Sequence, residues 1–286
     1  MKQTAVSNTV ISICSIGHSD VWRHTSALLP IYVQADIYIV YVPEREIPHF
    51  LEITHPRITV KSQETLGDEF ASSLREEVDK AGNSGRFGWY LQQFYKIKAL
   101  QMASTGRVTI WDADCVPVSA IETEDEEGKI VYVNSSKERH PAYFENIDRL
   151  LRLSRVQDFS FVIPGFPVRK QWVDEFISFV EKKHDTYWFQ AIMGTTDFSL
   201  RSGFSETETL GTWVANSYPG EWTSRIGSWE RFGQSRFGLA RSIGTEELIV
   251  IGKKHNLEII SFENWDVSKI KKIIGVLKNF GSLFSK

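Results

Sequence analysis

The sequence predicts an α/β protein. It should have a Rossmann-like, mixed and mostly parallel sheet flanked by helices, with an amphipathic helix at the C-terminus. Three observations predict this. Short β-branched runs alternate with longer stretches of helical periodicity through the first half of the chain. No internal repeat or low-complexity linker divides it. The final twenty residues place apolar side chains three or four positions apart among lysines.

The elements follow in order. Residues 9–16 (TVISICSI) read as a buried strand closed by Gly17. Residues 20–32 fit a helix with Asp20 near its start. DIYIVYV (36–42) is a second strand, stopped by Pro43, and RITVK (57–61) a third. Helices are expected over 67–81 and 87–104. RVTIW (107–111) is the fourth strand, and Asp112-Ala113-Asp114 follows at once. IETEDEEGK (121–129), with five acids, reads as a solvated turn into KIVYVN (129–134), a strand able to return antiparallel. Helical patterns recur at 143–153, 170–184 and 206–216, with an apolar-aromatic segment at 186–193. Residues 217–244, rich in Gly, Ser, Arg and Trp, read as loops. ELIVI (247–251) and 257–262 read as closing strands.

One domain is therefore expected over 1–266 and a separate helix over 267–286. In the latter, Val267, Ile270, Ile273, Ile274, Leu277, Phe280 and Phe284 form one stripe. Lysines 269, 271, 272, 278 and 286 accompany it, and no acid follows Asp266. A basic amphipathic helix suits an anionic membrane surface. The rest of the chain points to the cytoplasm: no run of 18 apolar residues exists, and the N-terminus lacks the shape of a signal peptide. With 36 acidic and 33 basic residues the net charge is −3, against a nucleic-acid partner. Cys14 and Cys115 are too few for a disulfide framework or a cysteine-rich zinc site.

Three motifs carry chemistry. In WDADCVP (111–117), two carboxylates follow a buried strand, where ligands of open α/β sheets collect. Read as a continuing strand, the segment puts Asp112 and Asp114 on one side. Such a pair can hold Mg²⁺ or Mn²⁺ while phosphate oxygens and water complete the shell. In FGWYLQQFYKIKAL (87–100), Trp89, Gln92, Gln93 and Lys96 lie at i, i+3, i+4 and i+7 on one polar helix face. Lys96 would offset diphosphate charge there, and the glutamines would bind a nucleotide or sugar. In FSETETLGTW (204–213), Ser205 and Glu208 have capping-box spacing. Glu206 and Glu208 are both candidate general bases, Glu206 being the freer if Glu208 serves the cap.

Weaker candidates are Gly17, His18 and Asp20, placed after the first strand where a nucleotide base would lie, and His255, as a further metal ligand. Arginines 225, 231, 236 and 241 cluster in the loop-rich region and are candidate phosphate contacts. No P-loop, G-x-G-x-x-G after the first strand, H-E-x-x-H or G-x-S-x-G is present. A nucleotidyltransferase-like phosphate enzyme is disfavoured by the glycine-poor SIGHSDVWR loop. A non-catalytic carbohydrate-binding protein, suggested by the 9 tryptophans, has no need of acids clustered at a strand end.

With these residues in view, the chain resembles the GT-A class of nucleotide-sugar-dependent glycosyltransferases. The resemblance is to bacterial members in which a G-W-x-x-Q-Q-x-x-K helix precedes the D-x-D strand and S-E-x-E-x-x-G follows. Here these read GWYLQQFYK (88–96), DAD (112–114) and SETETLG (205–211), within residues 9–265. The resemblance implies a GT-A fold and a hexosyltransferase. It would move a sugar from a nucleotide diphosphate sugar, expected to be a UDP-sugar, to a glycan or lipid-linked glycan acceptor. The setting implied is bacterial surface polysaccharide or lipopolysaccharide synthesis. Asp112 and Asp114 would bind Mn²⁺ or Mg²⁺ with the nucleotide-sugar, Asp114 as the more direct ligand and Asp112 also reaching ribose or sugar hydroxyls. Glu206 or Glu208 would be the acceptor-side base of an inverting enzyme.

Overall fold

A computed structural model describes residues 7–134, 137–263 and 265–266. The C-terminal helix expected over 267–286, and the membrane contact drawn from it, lie outside the described residues. Among the described residues no helix is long and apolar enough to cross a membrane.

The strands are β1 (Asn8–Ile13), β2 (Ile37–Val42), β3 (Ile58–Ser62), β4 (Arg107–Trp111), β5 (Cys115–Pro117), β6 (Ile130–Asn134), β7 (Gly165–Arg169), β8 (Trp222–Ile226), β9 (Trp229–Glu230) and β10 (Ile259–Ser261). The helices are α1 (Ser19–Tyr32), α2 (Ile47–Ile53), α3 (Glu64–Gly67), α4 (Ala71–Lys80), α5 (Phe87–Met102), α6 (Pro141–Leu151), α7 (Lys170–His184), α8 (Trp188–Thr195), α9 (Glu206–Ser217), α10 (Gly233–Phe237) and α11 (Thr245–His255).

The central sheet has the order β3-β2-β1-β4-β7. β1 to β4 are parallel, and β7 closes the edge antiparallel to β4. The expected mostly parallel α/β architecture is thus observed. Alternation along β1 shows why both faces are covered. Ile11 and Ile13 enter the aromatic-rich core beneath α4 to α9, while Val10 enters the opposite core with Trp22, Leu29 and Phe50 of α1 and α2. Chain order runs outward from β1 through β2 to β3, then returns to place β4 on β1's other side. In open α/β sheets, ligands collect at such a reversal, here beyond the carboxyl ends of β1 and β4.

Several expectations are corrected. ELIVI is part of helix α11, not a strand. Glu246 and Glu247 sit in its first turn and Lys253, Lys254 and His255 in its last, complementing the helix dipole. Leu248 and Gly252, one turn apart, are buried, while Val250 is exposed. A five-residue apolar run is too short to separate the two periods. The 217–244 loop region contains β8, whose half-exposed residues hide any alternation. β6 does not return beside β4; it pairs parallel with β8. β7 is an additional strand, and its Pro167 is tolerated because it lies at the sheet edge. The helix expected at 67–81 is split into α3 and α4 around the buried Phe70.

Candidate functional site

Asp112 and Asp114 do not continue strand β4. They occupy a tight turn between β4 and β5, closed by the Cys115 N–H donating to the Asp112 carbonyl at 3.0 Å. Four further bonds hold the turn. The Asp112 N–H donates to Pro164 O at 2.8 Å and the Phe262 N–H to Asp114 O at 2.9 Å. The Trp111 indole N–H donates to Cys115 O at 2.7 Å, and the Thr25 hydroxyl to Ala113 O at 2.9 Å. Trp111 lies against Gly165, its cross-strand partner; a Cβ there would come within 2.6 Å of the indole ring. These five bonds fix the turn, so the two carboxylates are presented on a braced loop.

Lys96 reaches this turn from α5. Its Nζ lies 2.7 Å from Asp112 Oδ1 and 2.8 Å from Glu206 Oε1. The Lys96 and Glu206 side chains are 6% and 3% exposed, whereas Asp112 is 36% exposed. Burial disfavours the ammonium, yet the two carboxylates outweigh it and raise the Lys96 pKa. Burial also raises the Glu206 carboxyl, against the pull of Lys96. Asp114 is raised by burial and then by the Asp112 charge, while His18 and Lys96 oppose the shift. His18 Nε2 stands 4.0 Å from Asp114 Oδ2.

Ser205 caps α9 as the spacing predicted, its hydroxyl accepting from the Glu208 N–H at 3.2 Å. The Glu208 carboxylate instead accepts from the Ser160 hydroxyl at 2.8 Å and the Phe161 N–H at 3.1 Å. Its other oxygen, Oε1, is buried without a partner among the described residues, and burial raises the carboxyl's pKa. Glu206, expected to be the freer glutamate, is the one held in the ion cluster.

The polar face of α5 is turned inward, not into solvent. Gln92 donates to Ile13 O at the end of β1 at 3.4 Å, and the buried Gln93 bonds back to Trp89 O. Trp89 is half-buried, edge-on to Tyr90, with the Arg86 guanidinium 4.4 Å from its ring centre. Gly17 and His18 form a short 3-10 turn after β1, anchored where the Ile16 N–H donates to Glu46 Oε2 at 2.7 Å. His255 does not join the aspartates. It is exposed in the last turn of α11, beside Arg236 and Phe237.

Other groups also stand near the turn. Glu263 interacts electrostatically with Asp114 and pairs with Arg231 at 3.2 Å; Arg231 also reaches Glu138 at 3.0 Å. Ser261 bonds both Cys115 Sγ and the Trp229 indole. Tyr143, its pKa pushed up to about 12 by burial, faces the charge of Glu206. Arg231 carried a signal as one of four clustered arginines. The isolated Glu263 and Tyr143 carried none.

Among the described residues, no three His, Cys, Asp or Glu side chains are grouped to hold a metal ion. Asp112 and Asp114 offer two hard oxygen donors. Burial and, after it, the Asp112 charge raise the Asp114 carboxyl, and a divalent cation would relieve that repulsion. They suit a cation whose remaining ligands come from substrate and water.

Over residues 24–208 the chain matches the profile of a family described as "Family of unknown function (DUF6492)". The chain belongs to this family. The DUF6492 span contains Lys96, Asp112, Asp114, Glu206 and Glu208, and leaves out Gly17, His18 and His255. No curated protein matches the chain significantly. Among solved structures, apo mouse xyloside xylosyltransferase 1 is similar at TM-score 0.46 and 10% identity, over 91% of this chain and 98% of that one. The apo glycosyltransferase GlyE of Streptococcus pneumoniae TIGR4 is similar at 0.45 and 10%, over 91% and 55%. The apo bifunctional glycosyltransferase WbbM is similar at 0.40 and 11%, over 92% and 47%. The chain spans about half the length of GlyE and of WbbM.

Proposed function

We propose that this protein is a metal-dependent glycosyltransferase. It moves a hexosyl group from a nucleotide diphosphate sugar, a UDP-sugar in the first instance, to a glycan or lipid-linked glycan acceptor. The setting is bacterial surface polysaccharide synthesis at the cytoplasmic side. One observation carries the reading: two carboxylates, held on a braced turn beyond β4, with Asp112 fixed by a buried lysine that also holds Glu206. The ordered motifs GWYLQQFYK, DAD and SETETLG support it.

Asp112 and Asp114 would hold Mn²⁺ or Mg²⁺, which when bound supplies Lewis-acid neutralisation of the leaving diphosphate. Lys96 fixes the rotamer of Asp112, so that this carboxylate is pre-oriented before the donor arrives. The turn at Gly17 and His18 borders the same end of the sheet and faces the nucleotide. The acceptor hydroxyl attacks C1, the C1–O bond to diphosphate breaks, and the hydroxyl proton passes to Glu206. Burial makes that carboxyl a stronger base than an exposed one. The product sugar is then inverted at C1.

Turnover and melting of Asp114→Ala and Glu206→Gln test this. Both variants should lose about 10²-fold or more in turnover. Asp114→Ala should also nearly keep its melting temperature, because burial opposes its charge and its pairing with His18 is long, at 4.0 Å. Near-normal turnover of Asp114→Ala, or of the native protein in EDTA, would remove the metal from the mechanism.

A further inference from the structure

The Glu208 carboxylate holds the segment that leads into the acidic turn. Its Oε2 accepts from the Ser160 hydroxyl at 2.8 Å and from the Phe161 N–H at 3.1 Å. The Ser160 hydroxyl oxygen accepts in turn from the Val162 N–H at 3.1 Å. One buried carboxylate oxygen thus ties down residues 160 to 162, and bonds to a carboxylate are among the stronger ones a loop can make. Phe161 adds packing to the same point. It is fully buried, edge-on to Tyr132 at 4.9 Å, and its ring fills the space that Gly211 leaves open one turn along α9 from Glu208.

The tied segment then meets Asp112. The Pro164 carbonyl accepts the Asp112 N–H at 2.8 Å, and Gly165 pairs with Trp111 where β7 begins. From its first residue, α9 reaches the same aspartate by another route, through Glu206 and Lys96 at 2.8 and 2.7 Å. Together these contacts close a ring. It runs from the Asp112 main chain through residues 164 to 160, through Glu208 into α9, and through Glu206 and Lys96 back to the Asp112 carboxylate. No member of such a ring moves far without breaking a bond elsewhere in it, and outer partners of this kind hold functional side chains in place.

We propose that Glu208 is a positioning residue, which through residues 160–164 sets where the Asp112 main chain stands relative to Glu206. This deepens the glycosyl-transfer reading and rests on it for the effect on turnover; the coupling itself is a property of the fold. The acceptor proton goes to Glu206, and Glu208 acts only through the aspartate it places.

Hydrogen exchange of the full chain, read by mass spectrometry without ligand, measures the coupling. Glu208→Ala should speed exchange in peptides covering 160–166 and 112–117, while β1 keeps its native protection. Glu208→Gln, whose amide oxygen can accept the same two bonds, should do so far less. Faster exchange confined to 160–166 overturns the proposal, because the brace then stops at the loop. If Glu208→Ala loses protection in β1 as well, Ser160→Ala, which deletes one of the two bonds, decides by the same comparison. Calorimetry with UDP and Mn²⁺ gives the functional arm. Glu208→Ala should bind the pair about tenfold or more weakly, as loss of an outer partner of a metal site does, with turnover falling alongside and Glu208→Gln recovering most of both. Equal loss of turnover in the two variants with binding intact is the signature of a general base and overturns the proposal. A native protein that neither binds UDP with Mn²⁺ nor transfers sugar sinks the donor reading instead, and the exchange comparison then decides the coupling alone.

Discussion

Lys96 is the side chain on which the acidic turn and α9 meet. Its ammonium is shared by the part-exposed Asp112 and the nearly buried Glu206. A buried ion cluster is costly to assemble and costlier to leave half-made, since removing one member strands the opposite charge. Lys96→Met should therefore destabilise the fold by about 3–5 kcal/mol, measured by urea unfolding. A loss under about 1 kcal/mol would mean that water already solvates the cluster. Glu208 makes a different prediction. Its carboxyl is raised above the ordinary 4.5 by burial, with one oxygen unpartnered among the described residues. Between the unfolded and folded pKa values the folded state binds the extra proton. Its contribution to stability is thus complete below pH 4.5 and lost as pH rises through the folded value. Relative to Glu208→Gln, the native protein should melt higher at mildly acid pH than at neutral pH. A constant difference across that range would refute the assignment. The sequence placed Trp89, Gln92, Gln93 and Lys96 on one helix face. It did not reveal that this face is buried, because nothing local to α5 records the carboxylates arriving from residues 112 and 206.

At the scale of elements, α9 shows what local rules capture. Ser205 starts it and twelve residues follow, close to the predicted span. Gly211 has a reason visible only in three dimensions. A Cβ at that position would stand 2.1 Å from the Phe161 ring, on the same loop whose Ser160 and Phe161 hold Glu208. Alanine would gain about 1 kcal/mol of helix propensity, but forcing a methyl into this contact costs about 1–3 kcal/mol. Gly211→Ala should lower the melting temperature by several degrees in calorimetry, and a rise would show that the loop yields freely. α11 is the opposite case. Its LIVI core looks like a strand by composition, and its helical state follows from end charges and from the packing of Gly252 against Val118.

For the whole molecule, the decisive feature is the reversal of strand order between β1 and β4. It brings the turn at Gly17 and His18 next to Asp114, although 96 residues separate His18 from Asp114 in sequence. A site built this way should respond to its ligand as a unit. UDP with Mn²⁺ should raise the melting temperature more than either alone, by about 2.7 kcal/mol of stabilisation at 100 times Kd. EDTA should cancel the gain, and an additive response to the two components would argue against a shared site.

The sequence by itself determined the alternating α/β plan, the parallel strands β1 to β4, the position of the acidic pair after β4 and the start of α9. These depend on periodicity and capping, which act within a few residues. Tertiary structure decided that the D-x-D segment is a turn, that Lys96 is shared between Asp112 and Glu206, that Glu208 braces a loop, and that β6 pairs with β8. Each of these depends on burial and on charges brought together from distant parts of the chain, and the free energy of an ion or a strand edge is set by neighbours that local pattern does not encode.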